Sequence, residues 1–239
     1  MPSPNNFEAE LGGEAAGMKP AEKDSWSPTS LLIRLMVAGT VLAIWFWTQS
    51  LLGARTAPET GVADALHNLT AGWNAYLAHH AAAANVLLIL SSAIIDALGV
   101  FLLGSWLFGR SVRPFLGLVM LMLLRQVAEA LCSLPVPPGM IWHYPGFPSL
   151  LVTYHVANDF FFSGHTAIAV FGALELSRFR RTWLTWGAIL LVLFEVLTVL
   201  VLRAHYTMDV FTGILAALSI ARLSERLAPA LERFLTEKR

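Results

Sequence analysis

Two histidines stand in short polar clusters within an otherwise apolar chain. His165 lies in a Ser-Gly-His-Thr sequence at residues 163–166, and His205 lies four residues before Asp209. Residues four apart share one face of a helix, so the Asp209 carboxylate can bond one ring nitrogen of His205 and leave the other as a base or nucleophile. For this pair taken alone, a purely structural link between two helices remains an alternative interpretation.

The residues beside His165 are suited to binding an anion. Ser163, Gly164 and Thr166 can offer hydroxyls and backbone amides at a helix start. Histidine can give and accept a proton near neutral pH, so two histidines can supply a nucleophile and a general acid for phosphoryl transfer. The sequence has no Asp-x-Asp cluster, Walker lysine or His/Cys metal set, so we expect neither a metal nor another cofactor.

The elements that hold these residues are predicted to lie in a membrane. Of the 239 residues, 56% are hydrophobic and 13% are charged, whereas an average soluble domain is about 45–50% apolar and about 25% charged. The formal net charge is zero and Cys132 is the one cysteine. This composition argues against a nucleic-acid-binding protein, a disordered protein, an ordinary soluble enzyme and a cysteine-rich zinc module.

The hydropathy pattern predicts an all-α, polytopic membrane protein with six transmembrane helices. Backbone amides in hydrocarbon must bond internally, so each apolar segment is expected to be helical. The six segments lie near residues 31–52, 85–108, 114–132, 160–176, 183–202 and 206–223.

The polar parts of the chain divide it into a membrane domain and two tails. Residues 1–28 are predicted to be a disordered cytosolic tail, residues 29–224 the membrane domain, and residues 225–239 a cytosolic C-terminal tail. Within residues 53–84, apolar residues at helical spacing predict an interfacial helix. The proline-rich residues 133–159 predict a connector without helix or strand.

The distribution of Lys and Arg predicts the orientation in the membrane. With a cytoplasmic N-terminus, 13 of these residues lie on the inner side and two on the outer side, the asymmetry of the positive-inside rule. Both termini are then cytoplasmic. Both histidines fall at the outer ends of spans, so the active site is expected at the extracytoplasmic face of the multi-pass protein.

Three motifs resemble the sphingomyelin synthase family, within the wider superfamily of type 2 phosphatidic acid phosphatases (PAP2). Asp159, six residues before His165, completes a pattern similar to that family's first histidine motif, and residues 205–210 resemble its second. Arg125 and the Leu-Pro-Val-Pro sequence after it resemble a third element. The resemblance implies a PAP2-like helical bundle, with a core at about residues 114–224.

The resemblance also implies a role for each site residue. His205, polarised by Asp209, would attack the phosphorus of a phospholipid and form a phosphohistidine. His165 would protonate the departing lipid alcohol and then deprotonate the acceptor, a lipid alcohol such as ceramide or diacylglycerol. Asp159 would orient His165, and Arg125 would face the phosphate. Supporting or substrate-binding roles fall to Ser163, Gly164, Thr166 and Tyr206.

The chain departs from both branches of this superfamily. Phe162 replaces the proline expected in the phosphatases, and residues 157–158 replace the Cys-Gly of the sphingomyelin synthases. A metal-independent lipid phosphotransferase is the favoured interpretation. The alternatives are a PAP2-type phosphatase or phospholipase C-like hydrolase, and a non-catalytic lipid-binding membrane protein. Three acidic residues within spans have no assigned role: Asp96, Glu129 and Glu195.

Overall fold

The computed structural model describes residues 28–54, 62–154 and 160–237, and every regular element in these ranges is an α-helix. The predicted all-α class is therefore confirmed for the described part of the chain. The helices are α1 (Pro28–Gly53), α2 (Ala65–Leu69), α3 (Ala71–His79), α4 (Ala81–Leu107), α5 (Arg113–Leu131), α6 (Gly164–Ser177), α7 (Thr182–Val201) and α8 (Thr207–Glu237).

Five of these helices are long and apolar enough to cross a membrane: α1, α4, α5, α7 and α8. This is the pattern of an integral membrane protein, but it does not support the predicted count of six spans. The fourth predicted segment forms α6, which has only 14 residues. At about 1.5 Å per residue α6 is about 21 Å long, shorter than the hydrocarbon core of about 30 Å. The helix is short because Ser163 caps it, so residues 160–163 stay outside it.

α6 is the central helix of the bundle. It contacts α4, α5, α7 and α8, and most of its side chains are buried in protein. Phe171 lies directly on Gly117 of α5, where any larger residue would collide with the ring. In contrast, α1 and α7 leave large apolar side chains outside, including Trp47 and Trp183. α6 is therefore a protein-buried core helix, around which the longer helices present apolar surface to lipid.

One end of the bundle is held by ion pairs. Arg113 at the start of α5 lies 2.7 Å from Glu175 near the end of α6. Arg178, just after α6, pairs with Glu225 on α8. α8 runs without a break through Pro229 to Glu237, so residues 225–237 continue the last helix beyond the predicted domain boundary at residue 224.

The opposite end is covered by α2, α3 and the connector after α5. α2 and α3 occupy the region where one interfacial helix is predicted. Leu69, Trp73 and Tyr76 are exposed there. Asn74 is buried, and its side-chain amide donates to the Val201 and Gly139 carbonyls at 2.9 and 3.0 Å. Residues 132–154 contain no helix or strand, as the prolines predict for that part of the connector.

Candidate active site

The first histidine lies at the start of α6. Ser163 is the N-cap: its hydroxyl accepts from the Thr166 amide at 3.3 Å and donates to the Thr166 hydroxyl at 2.9 Å. This local cap starts the helix at Gly164, so His165 lies in the first turn. The edge of Trp142 meets the His165 ring, with 5.2 Å between the ring centroids.

The second histidine lies just before α8. Asp209 is in the first turn, and its Oδ2 accepts the Tyr206 amide at 2.8 Å, the reciprocal half of a capping box. The same Oδ2 lies 3.7 Å from His205 Nδ1. That separation is longer than a hydrogen bond, so the carboxylate acts on the imidazole by charge across a short gap. Of the two ring nitrogens of His205, Nδ1 is therefore the one beside the carboxylate.

The two helix starts are joined directly. The Ser163 amide donates to the Asp209 carbonyl at 3.2 Å. Gly213, one turn further along α8, permits this approach, because a Cβ there would lie 2.8 Å from the Ser163 carbonyl oxygen. The sequence separates the histidines by 40 residues, and this contact brings both to one cavity.

We name this space the histidine cavity. His165, His205 and Arg125 line it together with Gly164, and most of the remaining lining is apolar. Buried polar groups converging in an apolar cleft are typical of a ligand site. The His165 Nε2 atom is buried and has no hydrogen-bond partner among the described residues, so it is available to a bound molecule.

Arg125 is held in place from several sides. Its guanidinium lies 2.7 Å from Glu129 Oε1 and donates to Gln49 at 2.9 Å. It also lies over the Trp45 ring at 5.4 Å and against Gly164, where a Cβ would come within 3.2 Å of the Arg125 Nε. Pairing with Glu129 and facing the cavity are therefore compatible, because Glu129 orients the cation that the cavity uses.

The segment at the start of α2 clamps the backbone around the second histidine. The Asp64 carboxylate caps α2, accepting the amides of Leu66 and His67 at 3.0 and 3.1 Å. It also accepts the Thr207 hydroxyl at 2.6 Å and the Thr207 amide. Burial alone would raise the pKa of Asp64, but the hydrogen bonds from Thr207 and His67 outweigh it and the net pKa is lowered. His67 Nε2 in turn contacts the His205 carbonyl at 2.9 Å.

The turn before His205 is strained. Arg203 follows the end of α7 with φ = 52°, the left-handed conformation usually taken by glycine at this position. Its guanidinium donates to the Pro138 carbonyl at 2.5 Å and the His67 carbonyl at 3.3 Å. These contacts fix the backbone two residues before His205.

The remaining predicted residues lie behind the cavity or outside the described residues. Ser163 and Thr166 are fully buried and bond each other rather than line the cavity. Tyr206 stacks on His67, with 5.5 Å between the ring centroids, and its hydroxyl accepts the Val62 amide at 3.4 Å. Asp159 lies outside the described residues.

The sequence did not predict the aromatic residues beside the two histidines or the bonds between Asp64 and Thr207. Trp142 and Phe160 each set a ring edge against one histidine, yet both lie in irregular backbone, where periodicity carries no signal. Asp64 did have a signal, because an aspartate before an amphipathic helical pattern is a favoured N-cap. No group of three or more His, Cys, Asp or Glu residues suited to a metal occurs within residues 28–54, 62–154 and 160–237.

Comparison with known proteins gives two matches. The AtPDCT1/2 family model matches residues 63–226, more than half of the chain. The chain is similar to phosphatidylcholine:diacylglycerol cholinephosphotransferase 1 of Arabidopsis thaliana, at 23% identity over 192 residues, which cover 80% of this chain and 60% of that protein. The chain thus matches somewhat less than two thirds of that relative's length. No solved structure matches.

Proposed function

The chain belongs to the AtPDCT1/2 family, and from that premise we propose that it is a lipid headgroup phosphotransferase. The favoured reaction moves phosphocholine from a phosphatidylcholine to a diacylglycerol, as the name of the Arabidopsis relative states for that protein. The broad PAP2- and sphingomyelin synthase-like resemblance is supported by these matches. We propose diacylglycerol rather than ceramide as the acceptor because the name of that relative includes diacylglycerol.

One observation carries the proposal. Two buried histidines, from helix starts that bond each other through Ser163 and Asp209, line one cavity together with Arg125. Transfer of a phosphodiester group needs a nucleophile, a proton donor and a cation near the developing negative charge. The cavity supplies all three from residues of this chain.

In the first proposed step, His205 Nε2 attacks the phosphorus and the bond from phosphorus to the glycerol oxygen breaks. His165 gives a proton to that oxygen, so a diacylglycerol leaves and phosphocholine stays on His205. Arg125 faces the non-bridging oxygens, and Asp209 stabilises the positive charge on the His205 ring.

In the second step, His165 takes the proton from the hydroxyl of an acceptor diacylglycerol. The acceptor oxygen attacks phosphorus, the bond to His205 breaks, and a new phosphatidylcholine forms. The apolar lining favours a lipid alcohol over water as the acceptor, which separates a transferase from a hydrolase. Ser163, Thr166, Gly164 and Tyr206 support these steps by fixing the two helix starts, and Asp159 remains the proposed orienting group for His165.

The direct test is an acceptor competition with the purified protein. Vesicles of choline-labelled phosphatidylcholine receive either a fluorescent short-chain diacylglycerol or a fluorescent ceramide. We expect fluorescent phosphatidylcholine from the first and little fluorescent sphingomyelin from the second. The His205→Ala protein, checked for an unchanged elution volume in detergent, is the matched control for background turnover.

Other products would change the assignment. Free phosphocholine without labelled lipid would identify a phospholipase C-like hydrolase, and inorganic phosphate from phosphatidic acid would identify a lipid phosphatase. Binding of lipid without any product would identify the non-catalytic alternative. The proposal requires that labelled phosphatidylcholine be the main product.

We also propose that the histidine end faces the extracytoplasmic side and that both tails are cytoplasmic. The support is the charge asymmetry, since the opposite end carries Arg113, Arg178 and the basic residues of late α8. Single cysteines at Asn68 and Arg181, both exposed, test this with an impermeant thiol reagent on intact cells lacking Cys132. Labelling at residue 68 alone supports the orientation, and labelling at residue 181 alone reverses it.

A further inference from the structure

A second cavity lies beside the histidine cavity, and its walls are almost entirely apolar. It lies between α1, α4 and α5, with Leu150 and Leu151 of the connector lining one side. Water gains no hydrogen-bond partners in such a space, whereas an apolar ligand fits it. We name it the chain cavity.

The chain cavity and the histidine cavity share part of their walls. Trp45, Met122 and Leu151 line both. Arg125 lies one turn beyond Met122 on α5 and over the Trp45 ring. A molecule with a phosphate or hydroxyl at the histidines therefore meets apolar side chains on one side, and the space beyond them is the chain cavity.

The connector residues between the two cavities are bonded to an acidic side chain inside a span. Asp96, in the middle of α4, accepts the amides of Leu150 and Leu151 at 2.8 and 2.9 Å and the hydroxyl of Ser149 at 2.9 Å. Leu151 lies directly against Gly99, where a larger residue would collide with it. A carboxylate within a span is costly, and here it holds the connector against the middle of α4, where Leu151 lines both cavities.

We propose that the chain cavity binds a hydrocarbon chain of the lipid that reacts at the histidines. The inference rests on the proposed function and adds where that lipid is held. Donor and acceptor lipids share this chemistry, since both carry long acyl chains. The cavity's apolar walls, its shared boundary with the histidine cavity and its position among lipid-facing helices all fit such a chain.

The first test fills the chain cavity from α1. Val41 lines it, whereas Val37, one turn earlier, is exposed and does not. Val41→Phe is therefore compared with Val37→Phe, the same change on the same helix. Transfer is measured with dioleoyl and dihexanoyl diacylglycerol at fixed donor, and then with the donor chains varied at fixed acceptor. Val119→Phe, from the α5 wall, repeats the test independently of α1.

With Val41→Phe we expect dioleoyl turnover to fall about tenfold, as when about two methylenes are kept from an apolar site. Dihexanoyl turnover should change less than about twofold, and Val37→Phe should behave as wild type. A loss confined to the acceptor series assigns the cavity to the acceptor, and a loss confined to the donor series assigns it to the donor. Equal loss at all chain lengths, or no loss in either series for both filling variants, overturns the proposal.

A binding readout keeps this test separate from the reaction. A phosphatidylcholine and a diacylglycerol, each with a diazirine at the end of one acyl chain, are photolysed with the wild-type protein. Cross-links to residues 38–42 or 115–122 that dioleoyl lipid displaces support the chain cavity whether or not turnover is seen. Cross-links that fall only on exposed faces, without competition, overturn it. Absence of wild-type turnover would contradict the proposed function instead.

Discussion

The two histidines stand at helix starts that are built in different ways. The start of α6 is capped locally, because Ser163 and Thr166 lie three residues apart and satisfy each other. The start of α8 is held from a distance: Asp64 binds Thr207, and His67 binds the His205 carbonyl, across more than 130 residues. Among the described residues, a carboxylate lies beside the histidine at the second start and not at the first.

The two helix starts suit their histidines to different tasks. His165 faces the cavity from the buried central helix with a ring nitrogen open to a ligand, which suits a group that carries protons to and from lipid oxygens. His205 has Asp209 beside one nitrogen and a clamped backbone, which suits a nucleophile that must hold a phosphoryl group and a positive charge. The predictions below test this division.

The largest effect is expected at His205. His205→Ala should remove all measurable transfer, because the proposed first step forms the bond to phosphorus on this side chain and His165 is assigned the proton transfers. Turnover is measured with choline-labelled phosphatidylcholine and diacylglycerol in detergent micelles. Transfer within tenfold of wild type would contradict the assignment, provided the variant melts at the wild-type temperature.

His165→Ala should cost less, about 10²- to 10⁴-fold in kcat, the range for one general acid or base. The loss should shrink with p-nitrophenyl phosphocholine as donor, because its leaving group departs without a proton. Burst kinetics on that donor report the first step alone. If both donors lose turnover equally, His165 does not act as the acid.

Asp209→Asn separates the charge from the cap. The asparagine oxygen can still accept the Tyr206 amide, so the α8 start should keep its geometry. Loss of the charge 3.7 Å from His205 Nδ1 should lower kcat roughly 10- to 100-fold, the size for an interaction with a charged partner worth about 1.5–3 kcal/mol. Asp209→Ala, which removes both, should also lower the melting temperature. Wild-type kcat in the Asn variant would leave Asp209 a structural role alone.

Asp64→Asn should weaken the distant clamp with a smaller effect on turnover, below about tenfold. The single asparagine oxygen can still cap α2 but leaves the Thr207 amide without its acceptor. Loss of one hydrogen bond worth about 1 kcal/mol should lower Tm by about 2–4 °C. The folded-state pKa of Asp64 is lowered, so its stabilisation is present above the ordinary aspartate pKa and is lost as the pH falls through the lowered value. The difference in Tm between the variant and the wild type, measured by thermal scans, should therefore become smaller as the pH is lowered. A difference that does not change with pH would show that the charge is not involved.

The smallest effect is expected from chelation. If the two histidines and Arg125 supply the chemistry, EDTA should leave the transfer rate unchanged. The rate is measured before and after extended dialysis against chelator. Loss of turnover that Mg²⁺ or Mn²⁺ restores would replace the two-histidine mechanism.

The sequence predicts the apolar helices well because each long hydrophobic run must bond its own backbone amides in lipid. The fourth predicted span, which forms the short helix α6, is not confirmed. The segment after residue 160 is apolar and buried among four helices, and composition does not distinguish burial in protein from contact with lipid. The cap at Ser163 was the signal that the helix starts late.

The site was predictable where short motifs carry it and not where tertiary contacts do. The four-residue spacing placed Asp209 near His205, although His205 lies before α8 and not on its face. The Ser-Gly-His-Thr sequence marked a helix start. Trp142 and Phe160 pack against the histidines, and Asp96 accepts the Leu151 amide. These contacts all involve the connector between α5 and α6, whose sequence has no periodicity. Their partners lie on helices that only the folded bundle brings near.

The central claim is that the phosphorylated headgroup passes through His205. The most direct measurement is to incubate the protein with phosphorus-labelled phosphatidylcholine without acceptor, quench it in alkali, and locate the label by mass spectrometry. The account predicts an acid-labile phosphocholine adduct on His205 that is absent in His205→Ala, persists in His165→Ala with the p-nitrophenyl donor, and moves into lipid when diacylglycerol is added. A label on His165 that remains in His205→Ala would contradict it.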